Sequence, residues 1–210
     1  MRDCDVLSLC DRTGEMVKPW SAAGYKCECI DIQHSIRRDH VSENITYRWG
    51  DVRTVEPKEY HPKIVFTFPP CTHLAISGAR DFERKGLQYL IDALQVVENC
   101  RKLAEWFDCP WMLENPIGRL SSFWCRPNYS FDPCDYAGYL DDPGPEAYTK
   151  RRCLWTGGGF IIPEPRTVVP VLGSKMHLLP PSDDRGDVRS ETPKGFAKAV
   201  FLANEKLIRK

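Results

Sequence analysis

The run Lys63-Ile-Val-Phe-Thr-Phe68, halted by Pro69-Pro70, constrains the fold more than any other segment. An apolar run of strand length without polar alternation is buried on both faces, as a central strand of a parallel sheet must be. Proline lacks the N–H that a ladder needs, so the pair ends the strand abruptly. The chain ahead of it fits the same architecture. Asp5-Val-Leu-Ser-Leu-Cys10 reads as a buried strand, and the polar turn Asp11-Arg-Thr-Gly14 leads into a helix from about Val17 to Ala23. Gly24 closes that helix, because glycine tolerates the left-handed C-terminal position. Tyr25 to Ile32 is a second strand containing Asp31 near its end. This alternation predicts an α/β fold with a mostly parallel, doubly wound sheet and helices on both faces.

Further along, Ile45 to Arg48 reads as a third strand closing on Asp51. Between Gly86 and Phe107, the apolar residues Leu87, Leu90, Ile91, Leu94, Val97, Cys100, Leu103, Ala104 and Phe107 recur at helical spacing, and Trp106 is assigned to packing of that helix. Pro110 to Glu114 is a fifth strand running into Asn115-Pro116. Residues 121–149 are rich in Pro, Gly, Asp and aromatics and read as an ordered loop layer. Cys153 to Thr156 and Phe160 to Ile162 read as strands, and residues 163–191 as irregular. Thr192-Pro193 starts a last helix, with threonine as cap and Phe196, Ala199, Val200, Ala203 and Leu207 along one face. The 210 residues suit a single domain, 1–210, with residues 155–191 as a short irregular insert.

Lysine plus arginine and aspartate plus glutamate balance at 29 each, which weighs against retention on nucleic acid by bulk charge and leaves room for a local basic groove. No run approaches the roughly 18 apolar residues of a membrane span. Asp3, Asp5 and Asp11 interrupt the early apolar run, so no signal peptide is expected. The ten cysteines therefore read as reduced, mostly buried thiols of a cytoplasmic protein. Cys27 and Cys29 lack the two-residue spacing of structural zinc sites, and no metal is expected.

In such a sheet, ligands bind at the carboxyl ends of the strands. Five polar clusters fall at five successive strand ends: Asp11 to Gly14, Asp31, Asp51, Cys71 and Glu114. Gly14 lets a ligand approach the backbone. Asp31 can accept hydrogen bonds from a ribose, and Asp51 can take an adenine amino group. Either can equally be an ordinary turn residue. No phosphate-cradling glycine pattern is present, which points away from dinucleotides and ATP. Cys71, presented rigidly by two prolines, becomes a nucleophile if its thiolate is stabilised; a lone cysteine is otherwise small buried filler. Glu114, on the adjacent strand end, can protonate the group that Cys71 attacks.

These residues resemble the cytosine-C5 methyltransferases. Phe68-Pro-Pro-Cys71 is similar to that family's catalytic Pro-Pro-Cys motif, and Glu114-Asn115 to its Glu-Asn motif one strand later. Leu9-Cys-Asp-Arg-Thr-Gly14 resembles its first cofactor loop, and Glu191-Thr-Pro-Lys-Gly-Phe196 its last motif. The resemblance runs from about Val6 to Arg152 and resumes at the final helix. It implies a Rossmann-like class I methyltransferase fold and S-adenosyl-L-methionine as cofactor, held by Asp11, Thr13, Gly14, Asp31, Ile32, Asp51, Phe68 and Pro69. It implies Cys71 as covalent nucleophile at C6 of the base and Glu114 as the acid at N3, which requires burial to raise its pKa. Arg151 is the match for a basic catalytic residue, and Pro70, His73, Asn115, Pro116 and Arg152 line the substrate.

The departures bear on substrate. Pro-Pro-Cys continues into Thr72-His73-Leu-Ala75 rather than glutamine, and Cys153 stands where a second arginine is expected. The interval from Trp155 to Arg189 is too short for a usual target-recognition domain, as in small, phage-type relatives. A duplex methyltransferase must extrude its base and hold both strands. Three substrates therefore remain open: DNA read with low selectivity or as single strands, a free pyrimidine nucleotide, or DNA presented with a partner chain. Cytosine and uracil both remain possible, and a catalytically silent nucleotide-binding protein is a separate alternative. Arg37-Arg38, Arg84-Lys85, Lys150-Arg-Arg152 and Arg185 can meet phosphates or be solvated surface charge. His73 can polarise the nucleophile, contact a phosphate or simply pack. Trp20, Phe123, Trp124 and Tyr129 can stack a base or belong to the core.

Overall fold

The computed structural model describes residues 2–174 and 189–209. Its sheet is built from β1 (Val6–Leu9), β2 (Cys27–Asp31), β3 (His40–Ser42), β4 (Ile45–Trp49), β5 (Ile64–Thr67), β6 (Trp111–Pro116), β7 (Tyr129–Phe131) and β8 (Arg152–Gly157). The helices are α1 (Lys18–Ala22), α2 (Phe82–Trp106), α3 (Leu120–Phe123) and α4 (Lys194–Ile208). The strand order is β3-β4-β2-β1-β5-β6-β8-β7. Strands β4, β2, β1, β5 and β6 run parallel, while β3, β8 and β7 each pair antiparallel with their neighbours. This is a Rossmann-like arrangement, a mostly parallel sheet whose order reverses between β1 and β5.

Strand alternation divides the core into two layers. On β5, Ile64 and Phe66 face one layer and Val65 the other; on β6, Met112 faces the first layer and Trp111 and Leu113 the second. The first layer is closed by Trp20 of α1 and by Phe196, Ala199 and Val200 of α4. The second is closed by Ala93, Val97, Cys100, Leu103 and Ala104 of α2. Trp20, Phe66 and Phe196 are all but fully buried, and each such side chain contributes about 1.5–3 kcal/mol of burial free energy.

Several expectations are corrected. The hairpin strand β3 and the edge strand β7 appear where none is expected, and Phe160 to Ile162 is not a strand. Three-residue strands carry too little periodicity to be legible. Helix α2 begins earlier than expected, at Phe82, but its backbone breaks at Gly86 (φ 76°, ψ −176°). Leu87 and Ile91 are exposed at 76% and 47%, because the buried stripe of α2 begins at Ala93. Trp106 is exposed rather than packed. In α4 the buried stripe runs Phe196, Val200, Asn204 and Ile208, leaving Leu207 out. Asn204 fits there because its amide exchanges hydrogen bonds with the backbone of Ile161. Thr192 is not the cap of α4. The carboxylate of Glu146 accepts from the N–H groups of Lys194 and Gly195 instead, satisfying two donors that the helix start leaves open. All ten cysteines are free. Among the described residues no helix is long and apolar enough to cross a membrane. Arg185 lies outside the described residues.

Candidate active site

β5 and β6 are parallel neighbours, with Thr67 beside Leu113, so Pro69-Pro-Cys71 and Glu114-Asn115 emerge from the same edge of the sheet. The two strand ends are tied together. The amide of Asn115, 1% exposed, donates to the carbonyl of Pro69 at 2.8 Å. Cys71 opens a turn, its carbonyl accepting from the N–H groups of Leu74 and Ala75. The chain beyond that turn is held against the loop after β6: Ile76 N–H donates to Ile117, and Arg119 N–H to Leu74. Gly118 allows this contact, since a Cβ there would lie 2.1 Å from the Leu74 carbonyl oxygen. Cys71 is left half-buried, with Pro70 exposed and Pro116 half-buried beside it.

Antiparallel β8 supplies the charge. Arg152, 2% exposed, donates from Nη1 to Oε2 of Glu114 at 3.0 Å and from Nη2 to the carbonyl of Glu191 at 2.6 Å. Arg151 points elsewhere. It is exposed and pairs with Asp132 at 3.4 Å, because successive residues of an extended chain face opposite sides. The structure thus brings Arg152, not Arg151, to Glu114. Two residues upstream, Lys150 lies on the same side; its ammonium donates to the carbonyl of Arg189. From sequence, Lys150 is grouped with the basic residues that can meet phosphates or be solvated surface charge; the two-residue alternation from Arg152 is the signal for its facing.

Electrostatics bind these groups into one cluster. Burial pushes the Cys71 thiol up and the Glu114 carboxylate adds to that, while Lys150 and Arg152 pull it back down. Burial, then the charge of Arg152, lowers Lys150 to about 8, opposed by Glu114 and Cys71. Among the described residues, five buried side-chain polar atoms have no hydrogen-bond partner, and three of them are Oε1 of Glu114, Oδ1 of Asn115 and Nε of Arg152. Unpartnered buried polar groups are costly unless something completes them, so their concentration at the sheet edge from which Cys71 emerges makes this a candidate ligand site. A fourth, Nδ1 of His73, belongs to the same loop. That ring packs on Tyr89 at 5.0 Å, and burial with nearby Lys85 lowers its pKa.

The cofactor-side residues divide. Asp11 is buried and closes its own turn, accepting from Gly14 N–H and from the Ser8 hydroxyl, both at 2.7 Å. Thr13 accepts from Glu15 N–H at 3.4 Å. Gly14 holds φ +68°, and a Cβ there would meet the Tyr47 hydroxyl at 2.7 Å. Asp31 is buried, one oxygen accepting from Gln33 N–H, and burial raises its pKa. Ile32, next to it, is exposed. Phe68 packs on the α4 side of the core and donates its N–H to Leu9, and Pro69 is buried. Asp51 is engaged by Arg53, whose hydrogen bonds hold its carboxyl low. Of the candidate stacking aromatics, Trp20 is fully buried and Trp124 stacks on Trp155 at 5.6 Å; Phe123 is exposed. An open cleft of about 360 Å³ between Pro57, Tyr60, Pro62, Trp106 and Phe107 lies at the opposite, amino-terminal end of the strands and holds none of these residues.

No family model matches the chain, and no curated protein matches it. Solved structures do. The glycopeptide N-methyltransferase MtfA overlaps at TM-score 0.32 with 12% identity, over 58% of this chain and 50% of its own. The CcbJ methyltransferase from Streptomyces caelestis overlaps at 0.33 with 12% identity, over 61% and 49%. MtfA complexed with S-adenosyl-L-homocysteine overlaps at 0.32 with 12% identity, over 73% and 56%. The chain spans about half the length of these structures.

Proposed function

We propose that the chain is an S-adenosylmethionine-dependent methyltransferase acting at C5 of a pyrimidine, cytosine in DNA, through a transient covalent bond from Cys71. The supporting observation is the convergence at one sheet edge of a half-buried thiol and a buried carboxylate that is clamped on one oxygen and open on the other. Asp31, buried and held on one oxygen by a strand-end N–H, and the Gly14 turn fit a nucleoside cofactor beside that edge. When bound, the cofactor supplies an electrophilic methyl group for C5. The chain's own residues make C5 reactive. Cys71 thiolate adds to C6, which breaks the ring's aromaticity and gives C5 enamine character. Glu114, through Oε1, holds the proton at N3 and stabilises the charge that develops there. Arg152 fixes the other oxygen, and Asn115 holds the Pro69 carbonyl and so the approach to the thiol. Loss of the C5 proton then expels Cys71.

A free pyrimidine nucleotide is the second reading of substrate, favoured by the balanced charge and the short interval between β8 and α4. Tritium release from C5-labelled dCMP, CMP, dUMP, single-stranded DNA and duplex DNA, each with the methyl donor, separates these substrates. Release from single-stranded or duplex DNA is the expected result. Release from a mononucleotide alone transfers the assignment to the second reading, and absence of methyl incorporation into every pyrimidine substrate refutes both.

A further inference from the structure

His34 lies outside every motif read from sequence, yet its ring ties two strand-end segments together. Its N–H donates back to the carbonyl of Asp31 at 3.3 Å, which turns the ring toward the first loop. Nδ1 is 2.9 Å from the carbonyl oxygen of Arg48, on β4, and Nε2 is 3.2 Å from that of Arg12, in the turn between Asp11 and Gly14. A carbonyl oxygen only accepts, so each ring nitrogen must carry a hydrogen to make its bond, and a neutral imidazole carries one. Only the imidazolium completes both. Tyr47 belongs to the same bracket: its ring meets that of His34 edge-on at 5.5 Å, and its hydroxyl donates to the carbonyl of Thr13 at 3.5 Å. We propose that His34 is a positioning residue whose charged form holds the Asp11–Gly14 turn in its cofactor-binding shape. This proposal rests on the cofactor lying at that turn, as in the proposed function.

When the ring loses a proton to water, one nitrogen turns its lone pair toward a carbonyl lone pair, and that contact becomes repulsive. The shorter bond, to Arg48, keeps its hydrogen, so the bond released is the one to the turn. The titratable and charged groups around the ring come from four segments. Asp31 belongs to its own turn, and Arg12 and buried Asp11 to the loop after β1. From β4 come Arg48, whose guanidinium is committed to Glu28 and Asp39, and Tyr47, whose phenol burial pushes up to about 12. His40 of β3 stacks on Tyr47 at 5.8 Å. Burial raises the Asp31 pKa, and the Gln33 N–H, then His34 and Arg12, oppose that rise. A charged His34 therefore also favours the ionised Asp31, the form that accepts from a ribose hydroxyl.

Hydrogen exchange at the Gly14 amide, which donates to Asp11 inside the turn, reads the clamp without any ligand. The comparison is with His34→Gln, whose single side-chain nitrogen can serve one carbonyl at any pH. After correction for intrinsic exchange, the ratio of parent to variant protection is expected to fall about tenfold between pH 5.5 and 8.5. Titration of Asp11 and Asp31 contributes to both proteins, so the ratio isolates His34. Should the Gln variant fail to fold, His34→Asn carries the same measurement. His40→Gln, which alters the other imidazole on Tyr47, is expected to follow the parent. Titration calorimetry with S-adenosylhomocysteine is expected to show the same fall of about tenfold in parent affinity relative to His34→Gln. A protection ratio flat with pH overturns the proposal, as does its loss in His40→Gln or an affinity ratio that does not move. A His34-dependent step in protection with no S-adenosylhomocysteine binding at either pH refutes the proposed function alone. Binding of S-adenosylhomocysteine without that step refutes the clamp alone.

Discussion

Arg152 and Glu114, on antiparallel neighbours β8 and β6, form an ion pair at 3.0 Å with side-chain exposures of 2% and 9%. A buried pair of this kind is a device for position more than for stability, because the cost of desolvating both charges offsets much of their attraction. Here it fixes one carboxylate oxygen and leaves Oε1 buried without a hydrogen-bond partner among the described residues.

Removing one partner leaves the other charged and buried. Arg152→Met is expected to cost about 3–5 kcal/mol, lowering Tm by roughly 10 °C for a chain of this size. Arg151→Ala, one residue away but exposed, is expected to stay within about 0.5 kcal/mol. Thermal unfolding of the two variants checks the contrast. Equal losses would show that the pair is not formed.

The covalent step has its own signature. A 5-fluorocytosine substrate carries fluorine where the C5 proton must leave, so the Cys71 adduct should persist on a denaturing gel when the donor is present. Cys71→Ala is expected to abolish both this band and methyl incorporation, by about a thousandfold or more. An adduct surviving that substitution would assign the nucleophile elsewhere.

Glu114→Gln keeps the shape and removes the acid. Methyl transfer is expected to fall by about a hundredfold or more across pH 6–9. Unchanged rates over that range remove the proposed role at N3.

At the first turn, Gly14→Ala places a Cβ against Tyr47 at φ +68°. A left-handed alanine costs about 1–2 kcal/mol, and the turn it distorts is the one beside Asp31. Titration calorimetry with S-adenosylhomocysteine is expected to show about tenfold weaker binding, and unaltered affinity would place the cofactor away from this turn.

Asp11 gives the pH test. Burial raises its pKa above the ordinary 3.8, with Ser8 and Gly14 opposing. A carboxyl whose folded pKa lies above its unfolded one contributes stability that is complete below 3.8 and is lost as pH rises through the folded value. Asp11→Asn keeps an acceptor for Gly14 and cannot ionise. Its Tm is therefore expected to decline less than the parent's as pH rises from 4 to 7. An identical decline in both proteins removes Asp11 as the cause.

Much of this molecule is written in short-range pattern. Short, mostly apolar runs and the proline stop identify β1, β2, β5 and β6, because a strand buried on both faces is largely apolar. The order of those strands puts Asp11, Asp31, Cys71 and Glu114 at one sheet edge before any side chain is placed. Other choices depended on contacts far apart in sequence. Whether Arg151 or Arg152 meets Glu114 depends on the register of β8 against β6, and a shift of one residue reverses it. Asp51 pairs with Arg53, two residues on, and Glu146 rather than Thr192 completes the start of α4. Lys150, two residues ahead of β8, is partly buried because the chain there folds back onto the segment of Arg189, whose carbonyl accepts from its ammonium. Local sequence determines which segments are buried and where they stop; the side chains that share a cluster are chosen by strand register and by charges that packing leaves to be balanced.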